Sequence, residues 1–207
     1  MAARSPAERA AQQVLERARR EFESLGEPWD GYRVDVELLA ALLFELGVQP
    51  VYDLRVGTRE YAAFLDGNGR LIAVEGRHHP HRQRFSVAHE VGHFVLHFKP
   101  HMGLFTCSSQ DMQVSPEAVR ALRGPAAAGG GGPGGPRPPQ GRDPRLLHLQ
   151  REVEANLFAS ELLMPEQPLR AMHKVTGGKL FALARHFDVS PQAMEIRLER
   201  LNLPIRR

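Results

Sequence analysis

One cysteine, Cys107, stands among 207 residues. No intramolecular disulfide can form and no Cys-rich zinc cluster can be built, which points to a reducing compartment. Long apolar runs are missing too. The densest, residues 38 to 44, is bracketed by Glu37 and Glu45 and falls far short of the roughly 20 residues that span a bilayer. The opening MAARSPAERAAQQ has no apolar core, so neither a signal peptide nor a membrane partner is expected and the expected location is the cytoplasm. Net charge is small: 27 Lys and Arg against 24 Asp and Glu give +3, too little to demand a nucleic-acid partner by itself.

Glycine and proline are unremarkable except in one place. Residues 124 to 141, GPAAAGGGGPGGPRPPQG, hold eight Gly and five Pro in eighteen positions, a composition that buries no apolar surface and resists helix and strand alike. We read a disordered insertion at about 124–144. The chain as a whole, 42% hydrophobic and 25% charged, has the balance of a soluble globular protein long enough to bury a core.

Apolar residues at helical spacing (Val14, Leu15, Ala18, Phe22, Leu25) predict an amphipathic helix over residues 8 to 25, and a second is expected from about 35 to 46, ending at Gly47. VYDLRV (51 to 56), EYAAFL (60 to 65) and RLIAVE (70 to 75) read as short strands, with Asp66-Gly67-Asn68-Gly69 as a hairpin turn, so a small antiparallel sheet is expected. Further helices are expected at 86 to 98, 144 to 164, 179 to 187 and 191 to 202. Ser190 caps the last of these and Pro191 opens it.

The chemistry centres on His89-Glu90-Val91-Gly92-His93 within FSVAHEVGHFVLH. Four residues of helix turn about 400°, so the two imidazoles emerge about 40° apart and about 6 Å up the axis, able to close on one metal. Glu90 lies beside that face and can touch a metal-bound water without being a ligand. Two neutral imidazoles suit Zn²⁺, or a similar ion such as Mn²⁺, and water on such an ion has a pKa near roughly 7. The flanking Phe85, Val87, Ala88, Val91, Phe94, Val95 and Leu96 mark a core helix, whose His pair must be satisfied by something.

A catalytic site of this kind needs a third protein ligand and one open position. His97 is eight residues past His89, about 12 Å along the axis, too far to share the ion. It reads as a helix-terminal His on the last carbonyls. The better source is the segment REVEANLFASELLMP, residues 151 to 165, where Glu152, Asn156, Ala159 and Leu163 share a stripe while Glu154 and Glu161 project elsewhere. Glu154 and His148 stay open as substitutes.

Together, FSVAHEVGHFVLH and EVEANLFASELLMP resemble the ImmA/IrrE family of zinc metallopeptidases, and the likeness runs over about residues 34 to 205. The resemblance implies His89, His93 and Glu152 as zinc ligands, Glu90 as catalytic base and Asn156 as a support behind the ligands. It implies an α+β fold, mainly helical with a small antiparallel β-sheet, a zincin-like metallopeptidase core and a C-terminal helix-turn-helix-like pair. Residues 1–33 are then an N-terminal helical segment, 34–170 the core and 171–207 the C-terminal segment. Known members are cytoplasmic bacterial proteases that cleave helix-turn-helix repressors and release stress-response or mobile-element genes. Three departures stand out. The spacer between the motifs is long, Glu75 stands where an Asn is expected, and the extra sensor-like domain of the radiation-response members is not expected here.

The tail KLFALARHFDVSPQAMEIRLERLNL places Arg197 and Arg200 on a second helix, so DNA contact is a secondary reading beside plain packing. His78, His79 and His81 sit among arginines and read as a solvated loop. Cys107 reads as inert. Tyr52, Tyr61 and several His are open as oxyanion donors. The competing function is a metal-containing regulator or antitoxin-like partner that binds DNA or a repressor without proteolysis.

Overall fold

The first helix begins where Ser5 and Glu8 close a reciprocal cap. Glu8 N donates to Ser5 Oγ at 3.2 Å and Ser5 N to Glu8 Oε2 at 2.8 Å. The computed structural model describes residues 4–26, 29–56, 58–99, 104–107 and 143–207. In it α1 (Pro6–Ser24) buries Val14, Leu15, Ala18 and Phe22, as the spacing predicts, and also Ala7 and Ala11, whereas Leu25, expected on the same stripe, is the C-cap and is exposed. Helix α2 (Val36–Phe44) is capped by Asp35 and ends on Glu45 in the left-handed region. Gly47, expected as the stop of that helix, is instead the first residue of strand β1 (Gly47–Val51).

Strands β2 (Arg55–Val56), β3 (Arg59–Glu60), β4 (Ala63–Asp66), β5 (Leu71–Glu75) and β6 (Leu104–Cys107) complete the β structure. The larger sheet has the order β1-β5-β4-β6, and β2 with β3 forms a separate ribbon. The sheet is mixed rather than antiparallel: β4 pairs antiparallel with β5 and β6, but β1 runs parallel to β5. Two expected strands are also split. VYDLRV breaks at Asp53, whose φ is 70°, and EYAAFL breaks between Glu60 and Ala63. Glu75 explains the first break, because its carboxylate accepts from Leu54 N at 2.6 Å, Arg77 N at 3.0 Å and Asp53 N at 3.4 Å and so pulls the 52–54 turn onto the end of β5. A β1–β5 parallel pair needs a crossover, and the ribbon and β4 lie in that connection.

Helix α3 (Pro80–His97) begins a turn and a half before the expected Ser86, with His79 as N-cap and Pro80 at its first position. His81 is therefore helical rather than part of a polar loop. Helix α4 (Pro144–Leu163) opens on the Asp143 cap, so those two residues belong to the helix start. The rest of the Gly/Pro insertion lies outside the described residues. Helix α5 (Glu166–Thr176) was not expected. Its Pro168 falls in the first turn, where no intrahelical N–H bond is lost, and Gly177 in the left-handed region ends it. Helices α6 (Leu180–Phe187) and α7 (Pro191–Arg200) form the C-terminal pair.

One buried apolar cluster includes Phe22 of α1, Leu39 of α2, Val87 and Val91 of α3, Phe158 and Leu162 of α4, Leu169 of α5, Leu183 of α6 and Met194 of α7. It crosses the segment borders expected at 33/34 and 170/171. Asp188, in the left-handed region after α6, receives Arg33 at 2.9 Å, His81 at 3.2 Å and Arg84 at 3.4 Å. These contacts hold the C-terminal pair against the start of α3. No helix among the described residues is long and apolar enough to cross a membrane.

Candidate metal centre

Helices α3 and α4 cross the molecule in contact, and their approach is set by small residues. A Cβ on Gly92 would meet Phe158 Cδ1 at 3.1 Å, Phe158 Cβ at 3.2 Å and Ala155 Cα at 3.3 Å, so only glycine fits this crossing without displacement. On either side of Gly92, α3 carries His89, His93 and His97 at four-residue intervals. They meet α4 in antiparallel order: His89 at Asn156 and Glu152, His93 at Glu152, His97 at Arg151.

His89 Nδ1 lies 2.9 Å from Asn156 Oδ1. A side-chain carbonyl oxygen only accepts, so Nδ1 carries the proton and Nε2 of the neutral ring presents its lone pair inward. That nitrogen faces His93 Nε2 at 3.0 Å and Glu152 Oε2 at 3.2 Å, and His93 Nε2 faces Glu152 Oε1 at 3.3 Å. Three potential ligand atoms thus converge in the interior, and a cation among them would bind all three. The separations suit a metal: ligand bonds of about 2.0–2.1 Å in a tetrahedron give ligand–ligand edges of about 3.3 Å. Nitrogen, nitrogen and carboxylate oxygen is also a donor set for Zn²⁺ or Mn²⁺. Among the described residues this is the one group of three or more His, Cys, Asp or Glu side chains close enough to hold an ion, and all three members are buried.

Electrostatics agree. Burial opposes ionisation of Glu152, yet the two imidazoles facing it hold its carboxyl far below the ordinary range. For His89, burial opposes the imidazolium, and Glu152 and Glu90 overcome it and push the pKa up; for His93 burial prevails and pushes it down. Glu90 itself is fully buried, one residue from His89.

The other candidates lie elsewhere. Glu154 is half-exposed and faces His97 at 3.6 Å, not the ion site. His148, one turn before Glu152 and half-exposed, approaches Glu152 Oε1 at 3.6 Å from the solvent side. His97 is not on the carbonyls of its own helix, as expected: its Nε2 lies 3.3 Å from Arg151 O on α4. Burial and the nearby His93 push it down to about 4, so it is neutral at pH 7. The signal for this contact was present in the sequence as a third His on the same stripe. Tyr61 stacks on Phe64 and lines a 140 Å³ cavity with Glu75, Arg77 and His78, which contains none of the three ligand candidates. Tyr52 is exposed, its ring against Gly76. Cys107 lies on β6, the strand at one edge of the sheet.

Arg197, singled out as a DNA contact, is completely buried. Its guanidinium pairs with Glu161, reaches Glu8 Oε1 at 3.4 Å and donates from Nε to Met164 O at 3.2 Å. Arg200 turns inward to Glu8 at 3.1 Å. The exposed positions of α7 are Pro191, Gln192, Ile196, Glu199 and Arg200, a face on which the charges of Glu199 and Arg200 cancel.

The model of the Peptidase_M78 family, described as the IrrE N-terminal-like domain, matches residues 44–119 and 143–199, more than half of the chain. Among solved structures, a Mycobacterium tuberculosis transcriptional regulator is similar at a TM-score of 0.52 and 15% identity, over 98% of this chain and 53% of that one. At that identity the likeness is one of fold, and this chain spans about half the length of that protein. No curated protein matches the sequence.

Proposed function

The chain belongs to the Peptidase_M78 family, and from that premise we propose that it is a zinc-dependent metalloendopeptidase whose substrate is a helix-turn-helix transcriptional repressor. The observation that carries this reading is the inward convergence of His89 Nε2, His93 Nε2 and Glu152, with Glu90 buried beside them. Held by these residues, Zn²⁺ would supply Lewis acidity toward a substrate carbonyl and toward the attacking water. His89, His93 and Glu152 hold the ion, and Asn156 fixes the tautomer and ring plane of His89 from behind.

Glu90 accepts the proton of the attacking water on a carboxylate oxygen and delivers it to the amide nitrogen as the peptide bond breaks. Val87, Ala88, Val91, Phe158 and Leu162, all buried, pack the two helices and keep bulk water from the inner side of the centre. An extended substrate segment added along the edge of the small sheet is the binding mode this reading favours.

The test uses purified protein with an intact helix-turn-helix repressor as substrate. Glu90→Gln is expected to retain Zn²⁺ at wild-type stoichiometry and to lose about 10²–10⁴-fold in cleavage rate. Undiminished proteolysis in that variant would falsify the assignment of Glu90.

A further inference from the structure

Glu152 stands at the border between the held and the unheld part of its helix. It is the first buried residue of α4, and the two turns before it, from Pro144 to Arg151, are exposed or only half-buried. A metal ligand needs its donor placed within a few tenths of an ångström of the ideal distance. Apolar packing therefore fixes the far side of Glu152 and leaves the near side to something else.

His97 is the group in position to do this. Its side chain is 7% exposed, and a buried imidazole N–H must be hydrogen-bonded. Nε2 lies 3.3 Å from the carbonyl oxygen of Arg151, which can only accept, so the ring donates. A helical carbonyl has a second lone pair for such a donor, and this carbonyl belongs to the peptide unit that joins Arg151 to Glu152.

We propose that His97 is a positioning residue: by holding the Arg151–Glu152 peptide against the end of α3, it sets where Glu152 presents its carboxylate to the ion. The three imidazoles of the stripe then divide the work. His89 and His93 bind, and His97 clamps the helix that brings the third ligand. This inference rests on the metal reading above.

Zn²⁺ affinity is measured on the full-length chain by competition with a chromophoric chelator, for wild type, His97→Gln and His97→Phe. Gln places an amide N–H near the position of Nε2, whereas Phe keeps the ring volume and has no donor. Wild type and His97→Gln are expected to bind within a few-fold of each other, and His97→Phe about 10–100-fold more weakly, the scale for residues that support a ligand. Far-UV circular dichroism of the metal-free chains should coincide, and the visible spectrum of bound Co²⁺ should change in His97→Phe alone. Should His97→Phe not fold, His97→Asn takes its place, since its shorter amide cannot bridge to Arg151 and should bind as weakly. Equal affinity of the donorless variant and wild type overturns the role of His97 alone, as does a His97→Gln as weak as His97→Phe. A wild-type chain that takes up no Zn²⁺ overturns the metal reading with it.

Discussion

A carboxylate buried against two imidazoles needs a positive charge beside it, and a metal ion or a protonated ring can supply one. Buried charge is costly to desolvate, and Glu152 is held far below the ordinary carboxylate range only because His89 and His93 face it. Replacing Glu152 by Ala should remove one of the three proposed ligands and with it metal uptake, read as metal stoichiometry after gel filtration. Retention of a full equivalent would move the third ligand to His148, the nearest other candidate. At this scale the sequence was most legible for the convergence of His89 and His93, because helical geometry over five residues is local. Glu152 was legible as a stripe position. Its choice over Glu154 was not, since the two differ only in which way they project, and that depends on how α4 is rotated against α3.

Between elements, the decisive contact is the crossing of α3 and α4 at Gly92. Glycine costs about 1 kcal/mol against alanine inside a helix, and here the loss is offset by the close approach of Phe158 and Ala155. Gly92→Leu should lower stability by about 2–3 kcal/mol through overpacking and should weaken metal binding at the same time, because the helices carrying the two halves of the site must separate. Urea denaturation of the metal-free protein and a Zn²⁺ titration measure the two effects; loss of stability with unchanged affinity would show that the crossing does not align the ligands. The strands were harder to read. Runs such as VYDLRV look continuous by composition, and their break comes from Glu75, a distant carboxylate that gathers three backbone N–H groups. A short run offers no local sign of that.

Across the whole molecule, a buried polar network joins the first helix to the last. Arg197 pairs with Glu161 of α4 and Glu8 of α1, and Arg200 adds to Glu8. Arg197→Met leaves Glu161 buried without its cation and Glu8 with Arg200 alone, and should cost about 3–5 kcal/mol, measured by urea denaturation. Burial works against Glu8, but the hydrogen bond from Arg200 and those from Ser5 carry its pKa down from 4.5 to about 2. The folded value lies below the unfolded one, so this contribution is fully present above about pH 4.5 and is lost as pH falls through about 2. Its size is on the order of 2 kcal/mol once partial exposure of Arg200 is allowed for. Glu8→Gln should therefore be less stable than wild type at pH 7, and the gap should shrink steadily between about pH 4.5 and 2. A gap independent of pH would assign the effect of Glu8 to packing.

What the amino-acid order determined by itself was whatever depends on near neighbours: the His pair one turn apart, the Ser190 cap, most of the amphipathic stripe of α1, and the family that two separated motifs jointly indicate. Tertiary structure decided the rest. It made the sheet mixed, took Arg197 out of solvent and into an ion network, split one expected strand at the Glu75 clasp, and turned His97 from its own helix end onto a carbonyl of another. Each of these rests on contacts between residues tens of positions apart, where the free energy of burying or pairing a group outweighs the local preference that a reading of the sequence registers.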